Sequence, residues 1–139
     1  YASGNPGGAR TYHHTAPTGM VISLKAGLER IIAEGLENVF ARHAAAGQLL
    51  QQGLEDMGLE LFAQEGNRLA QLTTAWVPEG VDSAAVRSFL LERYNMEIGA
   101  GIGHLAQKIW RFGLMGHNAT EKNVRLILAA LTHAIEETT

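Results

Sequence analysis

No cysteine occurs among the 139 residues, which excludes disulfides, thiolate nucleophiles and cysteine-type zinc sites. Lysine is scarce as well: Lys25, Lys108 and Lys122 are the whole supply. Lys25 and Lys122 stand among polar neighbours in helical patterns and read as solvated. Lys108 precedes an apolar strand, and none of the three reads as a desolvated nucleophile. Charge of either sign is in small excess only, with a net value of −3 and no basic block, which argues against a nucleic-acid surface. No apolar run approaches the roughly 20 residues needed to cross a bilayer. The opening stretch YASGNPGGAR lacks the basic and apolar regions of a signal peptide. It also does not begin with Met, so a piece of a longer protein is expected. What the chain does have is 46% apolar residues, enough to fill one core.

Glycine and proline punctuate residues 1–19, which reads as an irregular segment. Beyond it, Val21, Leu24, Leu28, Ile31, Ile32 and Leu36 follow helical spacing, and Phe40, His43, Gly47, Leu50 and Leu54 continue it. Two helices are expected, or one bent near Gly35, ending at Gly58 as a left-handed cap. Leu59–Ala63 and the Thr/Val/Trp-rich stretch inside Gln71–Gly80 read as strands, the second stopped by Pro78. Asp82 or Ser83 can cap a helix running to about Tyr94. MEIGAGIG begins as a strand and dissolves into glycines. KIWRFGLMG alternates, with Trp110, Phe112 and Leu114 on one side and Ile109, Arg111 and Gly113 on the other. Asn118 and Glu121 have capping-box spacing before a last helix that buries Val124, Leu126, Ile127, Leu131 and Ile135. The order αα-β-β-α-β-β-α predicts an α+β fold, a small, mostly antiparallel sheet covered by helices on one face.

Several residues invite chemistry. His13 and His14 are adjacent and would point to opposite sides of an extended segment. The remaining histidines, His43, His104, His117 and His133, are scattered, so no metal site is predicted. GAGIG is not the dinucleotide fingerprint and opens no helix at the right distance. No serine elbow or Ser-His-Asp order is present. Arg111 is the conspicuous residue: a charge that cannot be discharged, set in an apolar strand. Either it faces solvent, or it offers a planar fork to a carboxylate or phosphate. Gly113 on the same side would let a ligand come close.

Taken together, three segments are similar to a known family. YHHTAPTGMVISLKAGLERIIAEGLENVFARH (Tyr12 to His43) resembles a stretch of class V pyridoxal-phosphate aminotransferases, the serine–pyruvate and alanine–glyoxylate group. MEIGAGIG is similar to that group's strand and glycine loop. RFGLMGHNATEKNV (Arg111 to Val124) resembles its Arg-(Ile/Phe)-Gly-Leu-(Leu/Met)-Gly run followed by Asn-Ala-Thr. The resemblance covers nearly everything beyond Arg10. It implies the C-terminal small domain of a fold type I enzyme, with residues 1–19 as an interface segment and residues 20–139 as the domain. The lysine that carries pyridoxal 5'-phosphate would lie in a preceding large domain, so this chain holds no catalytic residue and is expected to be inactive alone. Arg111 corresponds to the position that receives the substrate carboxylate. Tyr12 and Thr15 correspond to positions that reach the cofactor phosphate of the neighbouring subunit, which implies a homodimer. The implied reaction moves an amino group from a small amino acid, alanine or serine, to glyoxylate or pyruvate, most naturally in the cytoplasm, with peroxisome and mitochondrion open. A 2-aminoethylphosphonate–pyruvate transaminase, another class V enzyme, or a non-catalytic binding module built on the same domain stand as alternatives.

Overall fold

The computed structural model describes residues 14–139. They divide into two units at Leu36. The first contains one helix, α1 (Thr18–Glu34), which ends at Gly35, a residue at φ 85° whose N–H reaches back to the carbonyl of Ile31. The expected break at Gly35 is therefore present, and it yields two helices. Lys25 pairs with Glu29 one turn on, at 3.0 Å on the helix surface. No residue of α1 is buried.

The second unit runs from Glu37 onward. Its first helix, α2 (Leu36–Asp56), buries His43, Ala46, Gly47, Leu50 and Leu54, the stripe that helical periodicity marks out. Phe40 continues the spacing but is exposed. Gly58, at φ 81°, follows the helix as predicted. Three strands form an antiparallel sheet in the order β1 (Leu72–Trp76), β3 (Ile109–Gly113), β2 (Gly99–Ala100). Between β1 and β2 lies α3 (Ser83–Tyr94), and α4 (Glu121–Thr138) closes the chain. The α+β architecture with a small antiparallel sheet is as the alternation predicts.

The sheet's two sides differ as the pleat requires. Trp110 and Phe112 of β3, Leu114 just beyond it, and Thr73 and Ala75 of β1 are buried with Leu50, Leu54, Val86, Leu90, Val124 and Leu131. Trp110 also donates its indole N–H to the hydroxyl of Ser83 at 3.1 Å, so the first residue of α3 is tied to the central strand. Asp82 caps that helix by accepting from the N–H groups of Ala84 and Ala85.

Three expectations are corrected. Leu59–Ala63 does not form a strand; only Leu61 bridges to Ala75. Leu59 and Leu61 go into the core, and two bonds, Phe62 N–H to Thr74 and Trp76 N–H to Glu60, exhaust the pairing before the chain turns away. The last helix is capped by Thr120, whose hydroxyl accepts from Asn123 N–H at 3.2 Å, and not by Asn118. Residues Gly116–Asn118 are wound into a short 3-10 turn, which moves the cap two residues along. Leu126 is exposed because it falls at the edge of the buried stripe of α4, about a quarter-turn round the helix from the centre of Val124, Ala130, Leu131 and Ala134.

Candidate carboxylate-binding site

Arg111 sits at the middle of the central strand, facing Thr74 on β1 and Gly99 on β2 in register. Its neighbours Trp110 and Phe112 anchor the strand in the core, so alternation forces Arg111 to the other side. There it is half-buried. The side chain leans toward the edge strand β2: Nε donates to the carbonyl of Ala100 at 2.7 Å. Gly99 makes room for it. A Cβ on Gly99 would lie 3.2 Å from Nε and 3.3 Å from Nη2, so the guanidinium lies close against the bare backbone there. One donor is thus used to fix the plane. Among the described residues no carboxylate pairs with Arg111, and its Nη donors have no protein acceptor. A planar cation held by one nitrogen, with its remaining donors unspent, is chemically able to take a carboxylate in two-pronged fashion.

The glycine that admits this geometry is Gly99, not Gly113. Gly113 is exposed, and a Cβ there would meet nothing within 4 Å. The GAGIG stretch supplied the missed residues, Gly99 and Ala100, and its signal was a run of small residues on the strand next to Arg111. Gly101, two residues on, is needed for a different reason. A Cβ there would stand 2.1 Å from the carbonyl oxygen of Leu105 and 2.8 Å from Ile109 Cγ1. The run leads into a short 3-10 turn, Gly103–Leu105, and not into the N-terminus of a longer helix.

The other candidates are placed as follows. Tyr12 and His13 lie outside the described residues; His14 and Thr15 are exposed. His43 is buried on α2, His104 and His117 are exposed in turns, and His133 hydrogen-bonds Tyr94 between α3 and α4 at 2.5 Å. Among the described residues no three His, Asp or Glu side chains are grouped to hold a metal ion. Lys25, Lys108 and Lys122 are all exposed. No described helix is long and apolar enough to cross a membrane.

Known proteins resemble the chain over most of its length. The chain is 41% identical to an alanine–glyoxylate aminotransferase from Callithrix jacchus over 134 residues, 96% of its own length. It is a homologue of the class V aminotransferases. An (S)-ureidoglycine–glyoxylate transaminase from Bacillus subtilis is 38% identical over 88% of the chain. The crystal structure of an alanine–glyoxylate aminotransferase from Nostoc sp. superposes with a TM-score of 0.82 at 43% identity, covering 90% of the chain. The chain spans about a third of these class V proteins: 32%, 29% and 33% of their respective lengths. Its fold is accordingly a portion of the fold type I aminotransferase architecture. No protein-family model matches it.

Proposed function

We propose that this chain is the C-terminal small domain of a pyridoxal-phosphate-dependent aminotransferase and that Arg111 binds the carboxylate shared by its amino-acid and keto-acid substrates. The observation that carries the reading is the guanidinium itself: plane fixed by Ala100, unopposed by any described carboxylate, on the central strand of the sheet. The homology to aminotransferases over nine-tenths or more of the chain supports it. A fork that grips only the carboxylate treats every 2-amino and 2-keto acid alike, so one pocket serves both halves of a transamination. The rest of the side-chain pocket then decides between alanine, serine, glyoxylate and pyruvate.

The residues present fit a carboxylate, and they fit the cofactor only in part. Thr15, an exposed residue, and Tyr12 are the hydroxyl-bearing residues we assign to the phosphate of pyridoxal 5'-phosphate in a neighbouring subunit of a homodimer. The cofactor, when bound, supplies the electron sink for removal of the α-proton. No lysine here is shielded from water as its attachment would require: Lys25 is ion-paired and 75% exposed along its side chain, and Lys108 and Lys122 are also exposed. We assign that lysine to a part of the protein outside these 139 residues, which makes this chain inactive alone. What remains for the residues in hand is to seize and orient the acid.

The test is a titration of the 139-residue chain with acetate, followed by NMR at the Arg111 Nε–H. Saturable shifts there are expected in the parent, accompanied by shifts of the Gly99 and Ala100 backbone amides beside the guanidinium. These amides remain in the variants, where their response to acetate is expected to be abolished in Arg111→Ala and weakened by about tenfold or more in Arg111→Lys. A chain whose Arg111 signal ignores acetate would refute the carboxylate role. In the longer protein, Thr15→Ala is expected to lose cofactor on gel filtration, read by its absorbance; full retention would sink that assignment.

A further inference from the structure

His43 is a buried polar residue with two hydrogen bonds and no role in the site so far. Its Nδ1 lies 2.7 Å from the carbonyl of Val39, one turn back on α2. Its Nε2 lies 3.0 Å from the backbone N of Gly116. A carbonyl can only accept and an amide N–H can only donate, so the roles are fixed. Nδ1 carries the proton, and Nε2 is a bare acceptor on a neutral ring. The adjacent Arg42 completes the grip. Its Nη1 donates to the carbonyl of Gly116 at 2.8 Å and to that of Ala119 at 3.0 Å. Both the N–H and the C=O of one residue are thus captured by consecutive side chains of α2.

Gly116 is the third residue after β3, and its φ of 57° suits glycine. Between the strand and this grip, Leu114 is buried and donates its N–H to Gln71, one rung past the end of the ladder. The Arg111 strand is therefore fastened beyond its C-terminal end to a separate element, α2. We propose that His43, with Arg42, is a positioning residue for Arg111: it fixes where β3 leaves the sheet and so where the guanidinium fork stands. The inference rests on the carboxylate reading of Arg111. Neither side chain touches the bound acid; both act through the backbone at Gly116.

Two substitutions separate the ring's two bonds. Glutamine places its amide near the position of Nε2 and can still accept from Gly116. Asparagine places its amide near Nδ1 and can still reach Val39, but it is too short for Gly116. The experiment titrates acetate into the 139-residue chain and into His43→Gln and His43→Asn, reading Arg111 Nε–H for affinity and the Gly116 amide for the grip. Expected is an affinity within about twofold of the parent for His43→Gln and a loss of about fivefold for His43→Asn, with the Gly116 amide shifted only in the latter. Equal affinities in both variants overturn the inference while leaving the carboxylate reading intact. No Arg111 response in the unchanged chain overturns the reading and the inference together. If His43→Asn does not fold, Arg42→Ala takes its place: an unchanged acetate affinity with a displaced Gly116 signal overturns the inference, and a weakened one supports it.

Discussion

Thr73 faces the core beside Phe112, yet its hydroxyl is the one buried side-chain polar atom among the described residues with no hydrogen-bond partner. An unmet buried hydroxyl costs free energy that a methyl group of the same shape does not. Thr73→Val is therefore expected to raise stability by about 1 kcal/mol, checked by urea unfolding; a loss of stability would show that the hydroxyl has a use. At this scale the sequence was readable in part. Arg111 stood out because its charge contradicts its strand. Gly99 did not, because nothing in a glycine's own letter says that a guanidinium will lie against it. His43 looked like one more periodic residue of α2, since the partner of its Nε2 is 73 residues away.

At the scale of elements, α3 shows how much local chemistry decides. Its capping residue, its left-handed end at Asn95 and its buried Val86 and Leu90 are all set within a dozen residues. Asp82→Ala removes an acceptor that serves two N–H groups, and a loss of about 1 kcal/mol in unfolding free energy is expected; an unchanged denaturation midpoint would contradict the cap. Where local signals misled, a tertiary contact outweighed them. Asn118 has the spacing for a capping box, but the grip on Gly116 and Ala119 winds that stretch into a 3-10 turn and leaves Thr120 to cap. Leu59–Ala63 alternates as a strand does, but its register against β1 supports a single bridge. Strand propensity counts sides; it does not count how long a partner stays alongside.

For the whole molecule, the helical spacing of apolar residues along α1 gathers them into one stripe, and that stripe is exposed. Met20, Val21, Leu24, Leu28, Ile31 and Ile32 are between 39% and 78% exposed. A contiguous apolar face of this kind marks an interaction surface. The 139-residue chain is expected to self-associate in light scattering, and Leu24→Glu with Leu28→Glu to return it to a monomer. A monodisperse parent would remove the basis for this expectation.

The two tryptophans divide the sheet between them. Trp110 is fully buried on the core side, its indole bonded to Ser83. Trp76 pairs with Ile109 on the side that carries Arg111, and its ring stacks edge-on against Phe62 at 5.1 Å. The protein thus carries two intrinsic fluorophores with separate views. Emission from Trp110 follows the integrity of the core, while quenching by a solute such as iodide falls selectively on Trp76. Unfolding would open Trp110 to the same quencher, so the difference in quenching between the two rings reports the integrity of the core without any added label.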